Sequence, residues 1–219
     1  MAAKNNSSAE RKARIEAMRR AERSRERRNR ILTIGASVLI VAGLVVGGTV
    51  LVRSQSDDDS STASDSTSTG KWETGSDGVK TWSTKLTQNH VTKTVKYPME
   101  PPVGGDHDPV WQNCNGDVYD KAIKAENAVH SLEHGAVWVT YNSKASDADV
   151  KALAEKVKKT PYTLMSPVEG QKDPVMLSAW GHQRTVTSAT DPNLDKFFET
   201  YVQGKQTPEP GAACTNGVS

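Results

Sequence analysis

The side chains with most chemistry in this 219-residue chain are its histidines, and three of the five, His107, His130 and His134, fall within 28 positions of one another. His130 and His134 stand four apart in Ala125–Tyr141, AENAVHSLEHGAVWVTY. On a helix that spacing puts both imidazoles on one face, one turn apart, with Glu133 beside them. Two imidazoles from one helical face are a frequent start for a zinc or copper site, and His107 enters as a third candidate ligand from a segment rich in proline and glycine. Met99 adds a soft sulfur donor, with Met165 and Met176 further along, and His or Met ligation outside the cytoplasm suits copper better than zinc. The competing reading is structural: His130 and His134 hydrogen-bond loop carbonyls and hold the 98–118 segment onto the helix.

His130-Ser-Leu-Glu133-His134 also spells H-x-x-E-H, the inverted zinc-peptidase motif, in which the glutamate would act as general base on a metal-bound water. Gly135 argues against it. It offers a left-handed residue that ends the helix at once, and the chain then passes into the apolar run AVWVTY, whereas those peptidases need a longer active-site helix. No glycine-rich phosphate loop, nucleophile elbow or kinase signature occurs either, so the sequence defines no catalytic residue and favours a protein that is not an enzyme.

The elements that must position these residues follow from periodicity. A helix is expected over Ala125–Glu133 and a buried strand over Ala136–Tyr141. Ser146 caps a second helix running to Thr160, with Val150, Leu153, Ala154 and Val157 at helical spacing and Asp149 three residues after the cap. Tyr162–Met165 and Val175–Trp180 read as short strands. Asp191-Pro192 opens a last helix, Asn193–Val202, whose apolar stripe is Leu194, Phe197, Phe198 and Tyr201. Upstream, the alternation in Val91–Tyr97 suits a half-exposed strand, and Tyr97–Trp111, with four prolines and two glycines, must be irregular. The order strand, helix, strand over 136–180 indicates one β-α-β crossover, so the fold class expected is α+β with a small mixed sheet. Trp111, Trp138 and Trp180 read as core.

The rest of the chain sets where this domain works. Residues 1–30 carry eleven Lys or Arg against four Glu, a local charge of +7, and the remaining 17 basic and 22 acidic residues leave about −5. Ile31–Val52 holds twenty-two residues without a charge, enough to cross a hydrocarbon core of about 30 Å at about 1.5 Å per residue. We read it as an uncleaved transmembrane helix anchored in lipid, longer than a signal-peptide core. The basic flank keeps the N-terminus cytoplasmic and puts everything after Val52 outside. Gly43-x-x-x-Gly47 in that span matches the small-residue spacing of helix homodimers. Residues 53–70 are Ser- and Asp-rich with little to bury and form a flexible linker, and 71–219 form the external domain. An extracytoplasmic setting permits disulfides, and Cys114 and Cys214 are the only pair available.

Four ordered blocks, YPMEPPVGGDHDPVWQNCNGDVYD, ENAVHSLEHGAVWVTY, PVMLSAWG and PEPGAACTNG, together resemble the bacterial membrane-anchored family of domain of unknown function 3105. The resemblance covers about residues 71–219 and implies a single-span protein with an external α+β domain. It brings no activity with it. Two functions remain: a transition-metal site built on the histidines, or an accessory subunit whose head docks on a larger membrane or envelope complex. Nucleic acid is excluded as a partner, because the acidic part faces outward and the basic part has no fold for reading bases.

Overall fold

The computed structural model describes residues 70–219. The basic segment, the apolar span Ile31–Val52 and the linker up to residue 69 lie outside the described residues, within which no helix is long and apolar enough to cross a membrane.

Among the described residues seven strands and three helices give the α+β class. The strands are β1 (Trp72–Thr74), β2 (Lys80–Trp82), β3 (Asn115–Val118), β4 (Val137–Tyr141), β5 (Thr163–Pro167), β6 (Val175–Ala179) and β7 (His182–Val186). The helices are α1 (Ala125–Glu133), α2 (Asp147–Lys158) and α3 (Pro192–Tyr201). One mixed sheet runs in the order β1-β2-β7-β6-β4-β5-β3, parallel in the β4–β5 and β5–β3 pairs and antiparallel elsewhere. The parallel β4–α2–β5 unit is the crossover expected from the sequence.

The two-residue period of β4 divides the core. Val137 and Val139 join Met165 and Leu177 on one side, where Leu153 and Val157 of α2 and Leu194, Phe197 and Phe198 of α3 cover them. Trp138 and Leu164 belong to a second cluster with Ala128, Val129 and Leu132 of α1, Tyr162, Trp180 and the two cysteines. Both α2 and α3 begin as the sequence indicates: the Ser146 side chain accepts from the Asp149 backbone N–H, and the Asp191 side chain accepts from that of Asn193 with Pro192 in the first turn.

Val91–Tyr97 is not a strand. Its alternating pattern finds no neighbouring edge; the Val95 N–H donates instead to Glu126 Oε1 at 2.8 Å, and the Val91 N–H to the His107 carbonyl at 2.7 Å. Conversely β3, NGDV, carries turn-forming residues and is a strand only because β5 pairs with it, with an irregularity between Asn115 and Asp117.

Candidate metal centre

Helix α1 is short and buried along almost its whole length: Glu126 through Glu133 are all inside. Its apolar residues face the sheet, so its polar ones must be satisfied by something laid over the other side. That cover is the irregular 95–112 segment, attached by a row of side chain to backbone bonds. Glu126 takes the Val95 N–H, Asn127 donates to the Val110 carbonyl, His130 Nδ1 to that of Asp108 at 2.6 Å, and Ser131 Oγ to that of Gln112 at 2.6 Å. At the helix end Gly135 adopts φ +90°, which turns the chain directly into β4. A Cβ there would meet Gln203 Nε2 at 2.5 Å and Thr207 at 2.8 Å, so the C-terminal segment packs where only glycine fits.

Three buried imidazoles share one device. His107 Nδ1 lies 2.8 Å from the Gly105 carbonyl, His130 Nδ1 2.6 Å from that of Asp108, and His134 Nδ1 2.6 Å from that of Ala213. A carbonyl only accepts, so each Nδ1 carries the proton and each neutral ring keeps its lone pair on Nε2. The structural and metal readings of the sequence therefore draw on different nitrogens of the same rings. Nδ1 holds the loop, and Nε2 is left for chemistry. Fixing the imidazole through the nitrogen that does not bind metal is the outer-shell arrangement of metal-ligating histidine.

The free nitrogens do not all converge. Ligand atoms of His90, His107, His130 and Glu133 lie within 4.8 Å of one another. Glu133 Oε2 is 3.0 Å from His107 Nε2 and 3.9 Å from His90 Nε2. His90 stacks on the His130 ring, with centroids 4.8 Å apart and planes 21° apart, and meets His107 edge-on. Zinc with bonds of about 2.0–2.1 Å spaces tetrahedral donors about 3.3 Å apart, so the widest pair needs to close by about 1.5 Å.

Of the candidate ligands named from sequence, His107 and His130 belong to this cluster. His134 stands at its margin: its ring is 4.5 Å from that of His130, but its Nε2 points toward Glu209 Oε2, 3.7 Å away. Met99 lines a separate cavity of about 610 Å³ with Tyr97, Ile123, Trp138 and Val168, while Met165 and Met176 are buried in β5 and β6. Neither cysteine is available as a sulfur donor, since Cys114 and Cys214 are bonded to each other with Cα atoms 4.8 Å apart. Two members were not assigned as ligands from the sequence. Glu133 was visible as the acid of H-x-x-E-H, three residues from His130, but entered only as a general base. His90 gave no signal at all. It is brought in by a bridge to His107, in which the His107 N–H donates to the Asn89 carbonyl at 3.0 Å.

Burial pushes the His130 imidazole down to about 4, and the neighbouring histidines add to the effect. Burial likewise lowers His134. For His107 burial also opposes charging, yet the Glu133 carboxylate and the Gly105 carbonyl outweigh it and the pKa is raised. Glu133 is raised by burial but held below the usual carboxylate range by His107. At neutral pH the cluster thus offers lone pairs on His130 and a carboxylate on Glu133 without acidification or base.

Fold and cluster together define an α+β domain with a buried histidine–carboxylate centre beneath a loop that is itself bonded to the ligand-bearing helix. The chain belongs to the family described as protein of unknown function (DUF3105), which matches residues 90–216 and so spans all four donors. No curated protein and no solved structure matches it significantly.

Proposed function

We propose that this is a membrane-tethered protein whose external domain binds a divalent transition metal, zinc or copper(II), through His107, His130 and Glu133, with His90 as a fourth donor. One observation carries the reading. His107 is fully buried, its Nδ1 proton is committed to Gly105, and its Nε2 faces Glu133 Oε2 at 3.0 Å without a hydrogen bond of acceptable geometry. Two acceptors turned toward each other in a buried site need either a proton or a metal cation between or beside them. In the apo state a proton on His107 answers this; the convergence of two further imidazoles supplies what a proton does not need and a metal does. Imidazole and carboxylate donors without sulfur suit Zn²⁺ and Cu²⁺ rather than Cu⁺. The tether and the outward orientation rest on the uncharged Ile31–Val52 run and its basic flank.

Elemental analysis and calorimetry of the full chain in mild detergent test the reading. One equivalent of zinc or copper is expected, lost in His130→Ala and retained in His134→Ala, whose ring points elsewhere. Absence of any first-row metal, both as purified and after incubation with each ion, would overturn it.

A further inference from the structure

The four donors are not equivalent, and the difference assigns them different tasks. His107, His130 and Glu133 are 0%, 4% and 2% exposed, and both imidazoles among them are pinned through Nδ1 to backbone carbonyls. The His90 side chain is 48% exposed. Within the described residues no hydrogen bond anchors its ring; what holds it is the backbone bridge to His107, stacking on His130, the edge of the His107 ring and the Glu133 carboxylate 3.9 Å away. The neighbours that fix its backbone therefore leave its side chain free to rotate about χ1 into solvent, whereas His107 and His130 cannot leave without breaking buried hydrogen bonds, and the buried Glu133 carboxylate not without losing the His107 imidazole 3.0 Å away.

A purely structural zinc site encloses four fixed ligands, and a site that must react or exchange keeps one position open. Here the open position is the one His90 covers. We propose that His90 is an exchangeable ligand and that the position it occupies is where an imidazole of a partner protein enters, so that the centre hands its metal on rather than retaining it. This rests on the metal-binding reading above. The stacking of His90 on His130 fits the role, since an incoming imidazole finds the same aromatic face and the same approach to Glu133 that His90 vacates. The Trp111 and His134 rings also lie against His130, with centroids 5.8 and 4.5 Å away.

The test uses the full chain loaded with Co²⁺, whose visible spectrum reports ligand number and type, with free imidazole as the probe. His90→Ala is expected to fold as wild type, to keep one equivalent of Co²⁺ with affinity reduced by no more than about 10–100-fold, the range set by disturbing even an outer-shell partner, and to regain the wild-type spectrum on addition of imidazole. His107→Ala and Glu133→Gln lose the ion and are not rescued. Transfer of Co²⁺ from wild type to an imidazole-bearing acceptor peptide is expected to speed up in His90→Ala. The inference fails if His90→Ala loses metal as completely as His107→Ala, which makes His90 a fixed ligand, or if its spectrum equals wild type and ignores imidazole, which makes it no ligand. Wild-type protein that takes up no Co²⁺, Zn²⁺ or Cu²⁺ refutes the metal reading itself, a result that neither His90 outcome produces.

Discussion

Acidifying the metal-free chain puts a number on the burial of the ligand helix. His130 is 4% exposed and titrates at about 4 in the folded protein, against an ordinary 6.5. Its folded pKa is depressed, so the unfolded chain takes up a proton near pH 6.5 that the folded chain refuses until about 4. The stability tied to the neutral ring is complete above 6.5 and is lost as the pH falls through that window. Integrated from pH 7 to 4, this one residue removes about 3 kcal/mol, a shift of roughly 1–3 M in a urea midpoint. Its neighbours titrate too. His134 is lowered and acts in the same direction; His107 is raised and stabilises below 6.5, an effect lost as the pH climbs through its folded pKa; Glu133 is lowered and matters only below its ordinary 4.5. The informative quantity is therefore the difference from His130→Asn, whose amide still donates toward the Asp108 carbonyl but does not ionise. Urea unfolding followed by tryptophan fluorescence in EDTA, repeated between pH 7.5 and 4, is expected to show wild type losing about 3 kcal/mol more than the variant. Parallel curves for the two proteins would refute the assignment of a buried, neutral His130.

The Cys114–Cys214 bond closes a loop of 100 residues, and by the chain-entropy estimate replacing both cysteines with serine costs about 4–5 kcal/mol. A thermal melt that is the same with and without reductant contradicts this. Gly135→Ala forces a side chain into φ +90° and against Gln203 and Thr207; the backbone conformation alone costs about 1–3 kcal/mol. The variant should melt earlier and, because the turn fixes the end of α1, bind metal more weakly. An unchanged melting temperature would show that the C-terminal segment yields freely.

What the sequence determined by itself is whatever depends on near neighbours along the chain. The 3.6-residue stripe of α2, its Ser146–Asp149 cap, the Asp191-Pro192 start of α3, and the passage from α1 through Gly135 into β4 are all written in runs of under twenty residues. So is the pairing of His130 with Glu133 on one helix. The α+β class followed from the same elements, because strand, helix, strand at that spacing has few ways to pack. Only the tertiary structure decided which histidines meet. His90 reaches a site on a helix 35 residues downstream by way of a two-bond bridge to His107, and no local pattern announces such a bridge. His134 has the ideal spacing from His130 yet turns toward Glu209, since its Nδ1 is claimed by a carbonyl 79 residues away. The failure of Val91–Tyr97 as a strand has the same origin. Alternation supplies a face, but a strand also needs an edge to pair with, and here the backbone donors are taken by Glu126 and His107 instead. A histidine's chemistry depends on which of its two nitrogens the fold occupies, and that is a property of contacts distant in the chain.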